Sequence, residues 1–192
     1  KYIPEKLFLT LDNNTDEKYT IDQIKEMNLR DDEWISRSVA YSDECKERVV
    51  QKSIELLEQK LTGTNVPHKI IAVAPTIAEA EKINEMYVYS GYQSVIIHNE
   101  LDPEKREKAF NDIKNHRVKV VVNVSMLGEG YDHAYLSIAA IFRAFRSPLP
   151  YAQFIGRILR AIPENKVQKP SDNIGNIIAH KHLGLEELWE YY

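Results

Sequence analysis

The sequence predicts a three-layer α/β/α fold around a mainly parallel central sheet, preceded by an N-terminal extension. Three observations carry this. Four runs, KIIAVA (69–74), QSVIIH (93–98), VKVVVNVS (118–125) and LSIAAIFRA (136–144), are rich in β-branched and aliphatic residues with little polar alternation, the pattern of strands covered on both faces. Amphipathic segments lie between the first three, as parallel strands joined by crossover helices require. Upstream of these runs, residues 1–62 lack a comparable strand–helix rhythm and read as an extension, with the main domain over 63–192.

Taken in order, EKLFLTLD (5–12) alternates enough for a strand, and NNTDEKYT (13–20) reads as a polar turn. TIDQIKEMNLR (20–30) predicts a short helix capped by Thr20 or Asp22. DECKERVVQKSIELLEQKL (43–61) places Val49, Val50, Ile54, Leu57 and Leu61 on one face, with Ser42 as N-cap and Asp43 and Glu44 in the first turn. TGTNVPH (62–68) is the first convincing linker. After the strand at 69–74, TIAEAEKINEMYVYSG (76–91) is a helix ended by Gly91. DPEKREKAFNDIKNH (102–116) is another, with Asp102 as N-cap and Pro103 at its first position. NIGNIIAH (173–180) predicts a last strand and LEELWEYY (185–192) a terminal helix.

Composition narrows the function classes. The chain has 192 residues, 43% hydrophobic and 28% charged, with net charge −4, which suits one globular domain with a core that needs no staples. A lone cysteine, Cys45, excludes an intrachain disulfide and reads as a packing residue in a reducing, cytoplasmic setting. No apolar run approaches the roughly 20 residues of a membrane span, and no signal-peptide pattern opens the chain. The first residue is Lys1, so a fragment of a longer protein is expected. Charge is uneven: residues 12–47 are acid-rich, whereas Glu164 is the only acid between Arg143 and Lys169. A polyanion site belongs on the second stretch.

That stretch contains YAQFIGRILRA (151–161). At about 100° per residue, Gln153, Arg157 and Arg160 fall in one narrow stripe, while Phe154, Ile155, Ile158, Leu159 and Ile162 spread over the other side. Gly156 beside the stripe costs roughly 1 kcal/mol against Ala and marks a close approach. An ordinary solvated face mixes acids with bases, so a face presented to an anion is the better reading. Upstream, ligands of a parallel sheet sit beyond the C-terminal ends of its strands. Two segments qualify: APT (74–76), with Thr76 as N-cap, and NVSMLGEGYD (123–132), whose glycines let the backbone come close to a ligand. Each is weak alone, Thr76 being equally an ordinary cap.

Together they are specific. A strand ending in S-x-x-G-x-G-x-D (Ser125, Gly128, Gly130, Asp132), a further strand, and then Q-x-x-G-R-x-x-R (Gln153, Gly156, Arg157, Arg160) resemble motifs V and VI of superfamily-2 helicases and translocases. KIIAVAPTIAEAEKI (69–83) is similar to motif IV. The likeness covers residues 66–162 and is nearest the branch of restriction-enzyme motor subunits and DEAD/DEAH-type proteins. Ser125 stands where relatives often carry Thr or Asp, and His133 where many carry Pro.

The resemblance implies a RecA-like second motor lobe. It makes Arg160 the arginine finger on the γ-phosphate of ATP, with Arg157 supporting it. Gln153, Gly130 and Asp132 would border the nucleotide, and Pro75, Thr76 and Ser125 the nucleic acid, DNA favoured over RNA. ATP and Mg²⁺ would be held mainly by an N-terminal RecA-like lobe of the same protein. In keeping with this, none of the seven glycines is followed by Lys, so the chain has no G-x-x-x-x-G-K-[S/T] phosphate loop. DECK (43–46), which echoes a D-E-x-x box, reads as helix-dipole chemistry. No metal site is expected, since His180 and His182 lack a carboxylate partner. Tyr87, Tyr89 and Tyr92 are packing residues before they are base-stacking ones. A non-catalytic nucleic-acid-binding or partner-docking module with the same fold is the alternative. A dinucleotide enzyme is disfavoured, because no G-x-G-x-x-G turn follows the first strand.

Overall fold

The computed structural model describes residues 8–10, 18–124, 133–145, 147–158, 161–185 and 188. Five strands form one parallel sheet: β3 (Lys69–Val73), β4 (Ser94–Ile97), β5 (Val120–Asn123), β6 (Leu136–Ile141) and β7 (Asn176–Ala179), in the order β4-β5-β3-β6-β7. Every residue of β3, β5 and β6 is buried, as the unbroken apolar runs demand. Their alternate side chains feed two cores. Ile70, Ala72, Val120, Val122, Ile138 and Ala140 face helices α3 (Asp43–Leu61) and α4 (Ile77–Tyr89). Ile71, Val73, Val121, Ala139 and Ile141 face α1 (Ile21–Glu26), α2 (Asp32–Tyr41), α5 (Pro103–Lys114) and α6 (Pro148–Ile158). The result is the RecA-like three-layer arrangement.

The helices begin where capping chemistry puts them. Thr20 and Gln23 close a capping box on α1, Ser42 accepts from the Cys45 N–H at 3.3 Å on α3, and Asp102 accepts from the Glu104 N–H at 3.0 Å on α5. Asp43 and Glu44 thus occupy the first turn of α3, and the DECK segment is a helix start. Helix α4 ends at Tyr89, two residues before Gly91, whose φ of 88° only glycine adopts readily.

Two segments differ from the sequence expectation. Lys18–Thr20, read as part of a polar turn, is a short strand β2 antiparallel to β1 (Phe8–Thr10). Helix α2 was not anticipated. Its buried residues Ile35, Val39 and Ala40 lie among polar neighbours and are too sparse for a clear helical period. The side chain of Asp31, accepting from the Trp34 N–H at 2.8 Å, is the signal that marks its start. The predicted helix at 185–192 lies outside the described residues except for Leu185 and Leu188.

The stretch 62–68 is irregular but tied down. His68 donates and accepts at the centre of a buried relay: its Nδ1 lies 2.8 Å from Ser137 Oγ and its Nε2 3.1 Å from Asp172 Oδ1. The order resembles a hydrolase triad, yet His68, Ser137 and Asp172 are 0%, 4% and 1% exposed, so it serves as a clamp. Asp172 also accepts from the N–H groups of Gln168 (2.9 Å) and Lys169 (3.0 Å) and from Thr64 Oγ1 (3.2 Å). Gln168 Oε1 takes the Asn65 N–H at 2.7 Å. Lys60 of α3 donates to the carbonyls of Ser171 and Ile174 at 2.9 and 2.6 Å. These bonds fix the segment that follows α6, where the Ile162 N–H donates to Asn173 Oδ1 at 2.8 Å.

Replacing Asp172 with Ala is expected to destabilise the domain by about 3 kcal/mol or more, since it strips several buried donors of one acceptor. A urea titration that shows a lower midpoint at an unchanged slope checks this. Stability should also fall with acid. Burial is the main cause holding His133 and His180 down at about 4, and it lowers His68 as well, against 6.5 for a free imidazole. Between those limits the unfolded chain binds more protons, so stability present above pH 6.5 is lost on descent towards 4. Burial alone would raise the Asp172 carboxyl. The Gln168 N–H, His68 and the Lys169 N–H overcome it and hold it at about 2, so a further loss sets in below 3.8. Unfolding midpoints at about pH 7.5, 5.5 and 4 should decline in that order. Equal midpoints at the first two would contradict imidazoles that the fold keeps neutral.

Candidate nucleotide and nucleic-acid edge

Parallel strands bring all their exits to one edge of the sheet. β3 leaves through Ala74 and Pro75, β5 through Val124, β6 through Phe142 and Arg143, and β7 through His180 and Lys181. Ala74 is fastened by its N–H to the Asn123 carbonyl at 2.7 Å, and Phe142 to the Val73 carbonyl at 3.0 Å. The exits of the central strands are therefore in register.

Thr76 is the N-cap of α4, with extended backbone (φ −144°, ψ 168°) and its Oγ1 accepting from the Glu79 N–H at 3.2 Å. That bond uses the oxygen and leaves the hydroxyl proton to donate to a ligand. Glu79 is itself buried between Lys46 of α3 and Lys82, the latter at 3.0 Å. Asp43 adds a carboxylate 2.7 Å from Lys46, and the Lys46 interaction holds its pKa below the usual range. The start of α4 is thus anchored to α3 by a charge cluster. Breaking such a buried pair costs more than forming it gains, so the position of Pro75 and Thr76 is firmly set.

Helix α6 starts at Pro148, earlier than the sequence suggested. Tyr151, Phe154 and Ile155 are buried while Gln153 is exposed. Phe145 stacks on Phe154 with ring centroids 6.1 Å apart and meets Tyr151 edge-on at 5.5 Å, locking the rotation of the helix. Of the predicted apolar face, Phe154, Ile155 and Ile162 are buried, and Ile158 and Leu159 have side chains outside the described residues. Arg157 belongs to α6, but its side chain lies outside the described residues. Ser125, Gly130, Asp132 and Arg160 also lie outside them. Of the predicted site residues, Pro75, Thr76 and Gln153 are placed.

Pro75 lines a cleft of about 1110 Å³. Its other walls are Arg143, Ala144 and Phe145 after β6, Lys181–Gly184 after β7, and the outer side of α2. Sequence reasoning missed this cleft because α2 was missed. The basic AHKHLG segment at the exit of the last strand was the available signal.

Of the other singled-out residues, all but Tyr89 make packing or hydrogen-bond contacts within the fold. Tyr87 is fully buried with its hydroxyl 2.7 Å from Ser53 Oγ, and Tyr92 donates to Glu58 Oε1 at 2.6 Å. Tyr89 is 96% exposed and is not a core residue. Cys45 is buried, and desolvation pushes its thiol up. His133 accepts from the Tyr135 N–H through Nδ1 and reaches the Ile113 carbonyl through Nε2 at 3.2 Å, a neutral tautomer in a half-buried place. His180 and His182 have ring centroids 5.6 Å apart. Among the described residues no three His, Cys, Asp or Glu side chains converge on a metal site, and no helix is long and apolar enough to cross a membrane.

Comparison with known proteins agrees with this architecture. The relatives include UvrABC system protein B of Pseudothermotoga lettingae, 28% identical over 184 residues, which cover 91% of this chain and 26% of that protein. The same protein of Thermotoga neapolitana is 34% identical over 127 residues, covering 64% and 18%. The chain thus spans about a quarter or less of the length of these relatives. Among solved structures, the C-terminal domain of S. cerevisiae Dbp5 bound to Gle1 and IP6 matches with a TM-score of 0.53 at 17% identity, over 76% of this chain and 79% of that one. S. cerevisiae Dbp5 bound to RNA and ADP BeF3 gives the same TM-score and identity over 76% of this chain and 36% of that one. These structures share the fold. The model of the helicase conserved C-terminal domain matches residues 51–162, and the chain belongs to that family.

Proposed function

We propose that this chain is the C-terminal motor lobe of an ATP-dependent helicase or translocase acting on nucleic acid. DNA is favoured over RNA on the likeness of its motifs to restriction-enzyme motor subunits. The observation that carries the reading is the orientation of α6. It buries Tyr151, Phe154 and Ile155 and exposes Gln153, and the i, i+4, i+7 spacing of Gln153, Arg157 and Arg160 in the sequence is that of one helical stripe. A fold that needed this helix only for packing would have no use for an amide and two guanidinium groups aligned without a neighbouring acid.

In this reading the ATP phosphates arrive from an N-terminal RecA-like lobe carried elsewhere in the protein. Arg160 donates to γ-phosphate oxygens as negative charge grows on them in the transition state, and Arg157 holds the same phosphates in a planar fork. Gln153 bonds the nucleotide and reports its presence to α6. Gly130 lets the backbone approach, and Asp132 accepts from the nucleotide's hydroxyls. On the other side Thr76 donates its free proton to a backbone phosphate, Ser125 does the same, and Pro75 shapes the track. Mg²⁺ would supply charge neutralisation on the phosphates. In this reading its ligands come from the N-terminal lobe.

The intact protein carrying Arg160→Ala should melt like wild type and lose ATP turnover by roughly 10³-fold or more, the scale of an arginine finger. Arg157→Lys should also be costly, because an ammonium does not reproduce the fork. Lys166→Ala, in the turn beyond the helix, should be nearly silent. Single-turnover hydrolysis beside a thermal melt separates the outcomes. Early melting of Arg160→Ala makes the stripe structural, and full turnover in a folded variant ends the motor assignment.

A further inference from the structure

Helix α2 and the turn Lys181–Leu183 lie outside the family-matched residues 51–162. Together they wall the cleft that opens beside Pro75. The charges in its lining are arranged asymmetrically. Asp32 pairs with Lys25 of α1 at 2.7 Å and Glu33 with Arg37 of α2 at 3.0 Å, so both carboxylates are matched by cations of the cleft lining. Across from them, Arg143 and Lys181 have no carboxylate within ion-pair distance among the described residues. Arg143 is held over the Phe145 ring, its guanidinium carbon 5.3 Å from the centroid, with Nε directed to the Ala144 carbonyl at 3.5 Å. That leaves its terminal N–H groups for a ligand. Lys181 is exposed, and Tyr41 at the end of α2 presents an aromatic ring that is 46% exposed.

Two uncompensated cations, an open aromatic ring and a channel of this size are what a single strand of nucleic acid requires. The cations track phosphates, and the ring offers a face on which any base stacks. The cleft is also continuous with Pro75, on the edge assigned above to the nucleic-acid track. We infer that the cleft between α2 and the 181–184 turn is a second nucleic-acid contact, in which Arg143 and Lys181 bind backbone phosphates and Tyr41 stacks on a base. It extends the track beyond the segment that the family shares. The inference rests on the motor reading for its polymer, but not on Arg160 or on ATP hydrolysis.

The test uses the intact protein and a fluorescent oligothymidylate of about 20 nucleotides, with anisotropy titrations from about 50 to 200 mM salt. The double variant Arg143→Gln/Lys181→Ala should bind on the order of tenfold more weakly. It should also lower the log–log salt slope by about 1.4, two single-strand phosphate contacts at about 0.7 each. Tyr41→Ala should weaken binding about fivefold or more while leaving the slope unchanged. With wild-type protein, iodouracil-substituted oligonucleotide should crosslink on irradiation to α2 or the 181–184 turn, a readout that needs no variant to fold. Wild-type affinity and slope in the variants, with crosslinks confined elsewhere, would overturn the inference while leaving the motor reading intact. It is overturned equally if another segment of the protein covers the cleft and excludes the probe. Absence of any oligonucleotide binding at the lowest salt would remove both readings together.

Discussion

Strand β3 is hydrogen-bonded on both edges, to β5 and β6, and is covered on both faces by helices. Its side chains are shut away from water, and so are those of β5 and β6. Chemistry is thereby expelled from the body of the sheet to the loops at its ends. Because all five strands run the same way, one edge collects every strand exit and brings residues distant in sequence to one accessible place. Pro75, Thr76, Arg143 and Lys181 are gathered there for this reason.

Position along that edge then depends on how the flanking helices are pinned. Helix α4 is fastened by the Lys46–Glu79 pair, which links the cap at Thr76 to α3. Helix α6 is fastened by the Phe145, Tyr151 and Phe154 rings on one side and, after its end, by the hydrogen bonds around Asp172 and Asn173. The buried His68–Asp172 contact thus helps to set where the chain runs after α6. Both devices draw on α3 or the stretch after it, so residues upstream of the sheet support the edge as much as the sheet does.

Much of this was legible in the sequence. Continuous β-branched runs have one stable solution, a doubly covered parallel strand, and KIIAVA, VKVVVNVS and LSIAAIFRA became β3, β5 and β6. The caps at Thr20, Ser42, Thr76 and Asp102 are local chemistry, and each was found where its hydroxyl or carboxylate indicated. What escaped depends on distant partners. Helix α2 has few apolar residues and owes its place to contacts with the 181–183 turn and the sheet. The clamp joins His68, Ser137 and Asp172 across more than a hundred residues, and nothing near any one of them announces the others. The stripe of Gln153, Arg157 and Arg160 is a pattern of the sequence, and of its members the described residues place Gln153 alone, exposed on a helix that buries Tyr151, Phe154 and Ile155. The cleft was not legible, since half of its wall is α2.

The central claim is that α6 offers its polar face to a nucleotide brought by another part of the protein. Hydrogen–deuterium exchange on the intact protein, with and without a non-hydrolysable ATP analogue and single-stranded nucleic acid, tests it most directly. The account predicts slower exchange in the peptides spanning 123–133 and 151–162 when the analogue is bound, with the buried strands β3 and β6 unaffected. Unchanged exchange across 151–162 in protein that demonstrably binds the analogue would contradict it.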